Sequence, residues 1–183
     1  NGLTEDLYPQ IHEVGESGIF GTNWDGCTNY VRFEILKRLG YFVTESSEHF
    51  AEYTPWFIKN QKKDLVKKFD IPINEYIRRC EKQIVDWEDQ EKELLNNSQL
   101  EHTKSVEYAS RIILSMVTGS KDLIYGNVLN QNFIPNLPHN SCVEVPCIVQ
   151  KNGIIPQTVA PLPMHLANLI QTNINVQQLT VEA

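Results

Sequence analysis

The densest set of reactive side chains lies in thirteen consecutive residues, Tyr41 to Tyr53. This segment holds three carboxylates, one imidazole, two serine hydroxyls and two phenols. If its second half is helical, His49 and Glu52 lie on one face at positions i and i+3. An imidazole and a carboxylate placed in this way can bind the same ligand, a metal ion included. The same spacing also occurs in helix capping and salt bridging, so both interpretations stay open.

Predicted helices flank this segment. The first helix is expected to run from Asn23 or Asp25 to Gly40, a residue that commonly follows a helix. Residues 41–53 are then expected to form a brief strand that enters a functional loop. A second helix is predicted from Pro55 to about Asp70, because proline suits the first turn of a helix and the Ile71-Pro72 step disfavours its continuation.

Two further helices are predicted in the middle of the chain. Apolar residues at three-to-four spacing indicate a long helix from about Asn74 to Asn96. The stretch from Lys59 to Lys104 carries twenty of the 39 charged residues of the chain, which is typical of a solvent-facing flank. The other helix is expected to be capped by Ser105, to place a wide apolar stripe in the core and to end at Gly119.

Three strands are predicted next, at Leu123–Leu129, Cys142–Val149 and Ile154–Val159. The sequence Lys151-Asn152-Gly153 is a strong hairpin signal between the last two. Pro146 predicts an edge position or a bulge in the middle one. Since helices come first, strands second and a helix last, we expect an α+β domain, mainly helical, with a small mixed or antiparallel sheet.

Composition limits the classes of function. A net charge of −7 offers no basic surface for nucleic acid. The sequence has neither an apolar run of membrane-spanning length nor the layout of a secretion signal, so we expect a cytoplasmic protein without membrane contact. The four cysteines lack CxxC spacing, which favours reduced core thiols over disulfides or a zinc site.

The last part of the chain is unusual because residues 152–181 carry no charged side chain but many amides. A solvated helix normally carries lysine and glutamate on its outer face. This pattern predicts that the final helix is covered by another part of a longer polypeptide or by a partner.

Several motifs resemble those of α-galactosidases of glycoside hydrolase family 4. The main match is Gly40-Tyr-Phe-Val-Thr-Glu-Ser-Ser-Glu-His-Phe-Ala-Glu-Tyr-Thr-Pro-Trp-Phe57. Four later blocks resemble the same family: Ile124-Tyr-Gly-Asn-Val128, Asn136-Leu-Pro138, Cys142-Val-Glu-Val-Pro-Cys147 and Thr172-Asn-Ile-Asn-Val-Gln177. The resemblance covers most of the chain and is weakest in the charged stretch from Lys59 to Lys104.

The resemblance implies a redox-assisted elimination, which differs from the two-carboxylate scheme of most glycosidases. Bound NAD would oxidise the C3 hydroxyl of the sugar, a base would remove the C2 proton and the glycosidic oxygen would leave. Water would then add, and NADH would restore C3. A divalent metal, usually Mn²⁺, would hold the C2 and C3 oxygens and stabilise the enediolate.

The resemblance also suggests roles for particular residues. Tyr41 is the candidate C2 base, although an ordinary strand aromatic is an alternative and a phenol with a pKa of about 10 needs a nearby cation to ionise. His49 and Glu52 are expected to bind sugar hydroxyls or to hydrogen-bond to the ligands of the metal and so orient them. Ser46, Ser47 and Glu48 are expected to complete the substrate pocket.

The family's architecture implies that residues 1–183 form a substrate-side domain, similar to the C-terminal domain of lactate and malate dehydrogenases. The NAD-binding domain and the main metal ligands would belong to an N-terminal half absent from this chain. The isolated chain is therefore expected to be inactive. Its expected partners are an α-galactoside, the missing domain and further copies in a homo-oligomer.

Other functions are compatible with the sequence. An α-glucosidase or uronidase of the same family differs from a galactosidase at one sugar hydroxyl or carboxyl group. The substrate domain of a 2-hydroxy-acid dehydrogenase would use His49 as proton acceptor. A module without catalysis would dock its amide-rich last helix onto a protein partner and tolerate changes at the acid-rich loop.

Overall fold

The computed structural model describes residues 5–21, 28–97, 105 and 107–183. The chain divides into two units, residues 1–100 and 101–183. The first unit is helical, and the second combines two helices with a sheet. The elements of the first unit are α1 (Tyr8–Ser17), α2 (Tyr30–Leu39), α3 (Ser47–Tyr53), α4 (Lys63–Lys68) and α5 (Glu75–Asn96). Those of the second are α6 (Ala109–Thr118), β1 (Asp122–Leu129), β2 (Cys142–Gln150), β3 (Gly153–Pro156) and α7 (Met164–Glu182).

The core of the first unit forms around α2. Val31 and Ile35 lie one turn apart on this helix and are buried together with Ala51 of α3. Ala51 is 1% exposed, and its small side chain lets α3 lie close to α2. α2 ends at Gly40, as predicted, where a φ of 79° suits glycine and the backbone N–H donates to Leu36 O at 2.8 Å. The helix begins at Tyr30, later than the predicted Asn23 or Asp25, and the preceding residues Thr28 and Asn29 are not helical; residues 22–27 lie outside the described residues.

Residues 41–53 do not contain the predicted strand. Instead a loop leads into α3, because the Ser46 hydroxyl accepts a hydrogen bond from the backbone N–H of His49 at 3.2 Å and so caps a helix. The expectation that the second half of this segment is helical is confirmed.

The predicted helix from Pro55 to Asp70 is also wrong. Only residues 63–68 are helical, as α4. Phe57 and Phe69 pack edge to face in the core with ring centroids 5.0 Å apart. In a continuous helix twelve residues span about 18 Å, so this contact requires the chain to fold back between them.

The long helix α5 closely matches its prediction. Every residue from Glu81 to Asn97 is exposed, which agrees with the predicted solvent-facing flank. Glu75, in the first turn, is its one buried residue.

The second unit is built on an antiparallel sheet in the order β1-β2-β3. Alternate residues of β2 point into the core, where Val145, Cys147 and Val149 are almost fully buried. Ala167 and Ile174 of α7 belong to the same core. The predicted α+β class and the hairpin at residues 151–153 are therefore confirmed.

The position of Pro146 differs from the predicted edge or bulge, because β2 is the central strand. The Pro146 carbonyl accepts from Gln157 N at 2.8 Å, so the backbone of Pro146 faces the β3 side of the sheet. The β2–β3 ladder reaches only from the Gln150–Gly153 pair to the Cys147–Pro156 pair. The missing N–H of proline therefore falls where the ladder has already ended.

The helix α6 differs from its prediction at one end and in its packing. It begins at Ala109 rather than at a Ser105 cap, and it ends at Gly119 as expected. Ser115 is its one buried residue, whereas Ile113 and Val117 are exposed. Only one narrow side of this ten-residue helix packs against β1 and β2. Most of its apolar stripe therefore lies outside the core.

The cysteines are not uniformly core thiols. Cys147 is fully buried, Cys80 is half-buried and Cys142 is exposed, all of them unpaired, and Cys27 lies outside the described residues. In the part of the chain that the structure describes, no helix is long and apolar enough to cross a membrane.

Candidate active site

The candidate site is the exposed side of α3. His49 Nδ1 and Glu52 Oε2 lie 2.9 Å apart, and both side chains are nearly half exposed. The helix places them on one face, as the spacing predicted. Because Nδ1 and Oε2 are engaged with each other, His49 Nε2 and Glu52 Oε1 are left to meet a ligand.

Carboxylates around α3 favour the charged form of His49. The pKa of His49 is raised above its usual value, first by the hydrogen bond to Glu52 and then by the charges of Glu45, Glu52 and Glu48, while partial burial acts in the opposite direction. The imidazolium form donates at both ring nitrogens. The pair thus presents one donor and one acceptor, which suits two neighbouring hydroxyl groups of a sugar.

Glu52→Gln is expected to lower the pKa of His49 towards about 6.5, the value for an unperturbed histidine. In the wild type, the pair stabilises the folded protein. Because the pKa of His49 is raised, this contribution is complete below about pH 6.5, provided that Glu52 is ionised, and is lost as the pH rises through the raised pKa of His49. The contribution is only about 0.3–0.5 kcal/mol, because the pair is exposed. An NMR titration, with the His49 signal assigned by its loss in His49→Ala, measures the change, and an unchanged pKa in Glu52→Gln would show that the pair does not form.

The other predicted residues of this helix lie in different environments. Ser46 is half-buried and acts as the helix cap described above. Ser47 is 1% exposed, and its buried hydroxyl has no hydrogen-bond partner among the described residues. Glu48 is 7% exposed and accepts a hydrogen bond from Arg79 Nη2 at 3.1 Å. Ser47 and Glu48 therefore lie on the buried side of α3, and Ser46 caps its N-terminus. The substrate contacts predicted for these three residues remain predictions.

Tyr41 lies in the loop before α3. Its ring packs edge to face against Tyr8 of α1, with centroids 6.4 Å apart, and it is 43% exposed. The same loop is held by Arg32 of α2, whose Nε donates to Val43 O at 2.8 Å and whose guanidinium lies over the Phe42 ring. Burial lowers the pKa of Arg32, with Glu45 acting against this effect.

Sequence reasoning missed two residues of the site. Tyr53 is 62% exposed, and its ring lies 6.2 Å from that of His49 at an angle of 30°. It therefore extends the exposed side of α3 with an aromatic surface, and the i, i+4 spacing could have revealed it. Arg79 is 31 residues from Glu48 in sequence, so no local pattern could have revealed that contact.

Among the described residues, no group of three or more His, Cys, Asp or Glu side chains could hold a metal ion. The described side chains around α3 present one hydrogen-bond donor and one acceptor, an arrangement that suits hydroxyl recognition.

Solved structures share this fold. The crystal structure of lplD from Bacillus subtilis, described as a "putative glucosidase", aligns with 96% of this chain and 42% of its own, with a TM-score of 0.78 and 20% identity. A 6-phospho-alpha-glucosidase from gut microorganisms, solved in complex with NAD and Mn²⁺, aligns with 100% of this chain and 42% of its own, with a TM-score of 0.60 and 16% identity. The fold is thus that of one portion of larger glucosidase chains.

The sequence comparisons define the family. Residues 3–183 match the model described as the Family 4 glycosyl hydrolase C-terminal domain, and the chain belongs to this family. It is 45% identical to the alpha-galactosidase of Bacillus subtilis (strain 168) over 178 residues, which are 97% of this chain and 40% of that protein. The chain thus spans about two-fifths of the length of this relative.

Proposed function

We propose that this chain is the substrate-side domain of an α-galactosidase that cleaves α-galactosides with the help of NAD and Mn²⁺. The 45% identity to an alpha-galactosidase over nearly the whole chain is the observation that carries the proposal. The complex of a fold relative with NAD and Mn²⁺ supports the cofactors. Family membership favours a glycosidase over a hydroxy-acid dehydrogenase.

In this proposal the described residues bind and orient the sugar. His49 Nε2–H donates to one hydroxyl, and Glu52 Oε1 accepts from its neighbour. Tyr53 covers one side of the sugar ring. Tyr41 is the proposed acceptor of the C2 proton at its phenolic oxygen, and Ser46, Ser47 and Glu48 shape the pocket.

The cofactors belong to another part of the complete enzyme in this proposal. The described residues contain no metal-ligand cluster, so in this proposal they hold the substrate while groups in another part of the enzyme bind the metal and NAD. Because an incomplete site cannot orient the reacting groups, the isolated chain is inactive. We further propose that the complete enzyme is a cytoplasmic homo-oligomer.

Substrate preference tests the proposal. The complete enzyme, supplied with NAD and Mn²⁺, is expected to cleave an aryl α-galactoside at least about tenfold faster than the matching α-glucoside, which corresponds to about 1.4 kcal/mol of discrimination. Release of the aryl alcohol measures the rates. A preference for the glucoside or for a uronide would show that the enzyme is an α-glucosidase or a uronidase of the same family and not an α-galactosidase. Nicotinamide reduction by lactate or malate without glycoside cleavage would indicate a dehydrogenase.

A further inference from the structure

The carboxylate of Glu48 lies in an energetically unfavourable position. It is 7% exposed and lies in the first turn of α3, directly before His49. Burying an ionised carboxylate is unfavourable unless a partner compensates the charge. Among the described residues, Arg79 supplies that compensation with Nη2 at 3.1 Å from Glu48 Oε2.

Arg79 is itself held in place. Its Nε donates to Glu75 Oε1 at 3.2 Å, and Glu75 is 7% exposed in the first turn of α5. Glu75 also accepts from Arg78, whose Nε lies 2.8 Å from Oε2. The pKa of Glu75 is lowered, chiefly by the hydrogen bond from Arg78, so its carboxylate stays charged. One planar guanidinium thus bridges a carboxylate of α3 and a carboxylate of α5.

The helix α3 depends on such contacts. It has seven residues, and a helix of this length is not stable by itself in water. Its buried residues include Ala51, which packs in the core, and Glu48, which pairs with Arg79. Because His49 follows Glu48 directly, any rotation of α3 about its axis moves His49 and Glu52 as well.

We propose that Arg79 is a positioning residue, which fixes the orientation of α3 through Glu48 and so aims His49 and Glu52 at the substrate. The inference concerns the same site as the proposed sugar binding and rests on it. Arg79 makes no contact with the sugar in this scheme. Its effect is transmitted through the ion pair with Glu48.

The test uses four variants of the complete enzyme with NAD and Mn²⁺ present. Arg79→Gln removes the bridge, Arg79→Lys keeps the charge without the planar fork, and Glu48→Gln removes the carboxylate. Arg38→Gln is the matched control, because Arg38 is an exposed arginine of α2 whose ion-pair partner, Glu34, belongs to its own helix. Two readouts are compared: kcat and KM for an aryl α-galactoside, and backbone hydrogen exchange in peptides that cover residues 46–54.

Arg79→Gln is expected to raise KM about tenfold or more with kcat within about threefold, because binding of substrate and transition state is weakened equally. Exchange over residues 46–54 is expected to become roughly tenfold faster, while peptides from β2 and α7 stay unchanged, since the opening is local. Glu48→Gln should show the same pattern. Arg79→Lys should retain part of both properties, and Arg38→Gln should match the wild type.

Three outcomes would contradict the inference. Wild-type exchange over residues 46–54 in Arg79→Gln would show that Arg79 does not hold α3. Equal changes in Arg38→Gln would show that general charge loss is responsible. Faster exchange in all peptides of Arg79→Gln would indicate a merely structural role. The milder variant Arg79→Lys must then show faster exchange over residues 46–54 while exchange in β2 and α7 stays unchanged. If exchange in α3 rises but KM for the galactoside does not, α3 is positioned by Arg79 and the proposed sugar-binding role is wrong.

Discussion

His49→Ala in the complete enzyme is expected to lower kcat/KM for an aryl α-galactoside by about 100-fold. A hydrogen bond from a charged donor contributes about 1.5–3 kcal/mol, a range that corresponds to roughly tenfold to 150-fold in rate or affinity. We expect the upper end, because the substitution removes the donor and also leaves Glu52 without its partner. The rate of aryl alcohol release under subsaturating substrate measures the effect.

His139→Ala is the matched control for this experiment. His139 is an exposed histidine in the turn that precedes β2. Its replacement should leave kcat/KM within about twofold, as expected for a surface position. A decrease of less than about threefold in His49→Ala, with unchanged circular dichroism, would remove His49 from the proposed site.

Asn130→Ala is expected to destabilise the second unit by about 3 kcal/mol or more. Asn130 is fully buried between β1 and the loop that leads to β2. Its side-chain Nδ2 lies within 3.1 Å of three backbone carbonyls, those of Ile134, Leu137 and Pro138. Its Oδ1 accepts from Ile134 N at 2.8 Å. Alanine would leave these buried backbone groups without a partner.

Asn127→Ala provides the comparison for this prediction, since Asn127 is an exposed asparagine on the neighbouring strand β1. Its replacement should change the free energy of unfolding by less than about 0.5 kcal/mol. Thermal unfolding of both variants in the complete protein measures the difference. Equal melting temperatures for Asn130→Ala and Asn127→Ala would mean that the asparagine network does not hold the loop.

Local patterns predicted the parts of the fold that depend on neighbouring residues. The three-to-four spacing of apolar residues identified α5 within one residue of its true start. The i, i+3 spacing of His49 and Glu52 correctly predicted that both side chains lie on one face of a helix. Strand alternation and the Asn152-Gly153 turn identified β2, and with it the antiparallel hairpin.

Tertiary contacts decided the parts that the sequence could not predict. The helix expected after Pro55 fails because Phe57 and Phe69 must meet in the core. The burial of Glu48 depends on an arginine of another helix, 31 residues away. The importance of Asn130 depends on carbonyl groups of an irregular loop, for which no periodic signal exists.

Pro146 has a further consequence for how the protein behaves in solution. Because proline offers no N–H on the β3 side, only one hydrogen bond, from Gln157 N to Pro146 O, continues the hairpin beyond the Cys147–Pro156 pair. β3 is four residues long, which leaves only a short row of unpaired backbone groups at this edge of the sheet. Short edges are poor templates for strands of other molecules, so we expect little edge-to-edge association through β3 at high concentration.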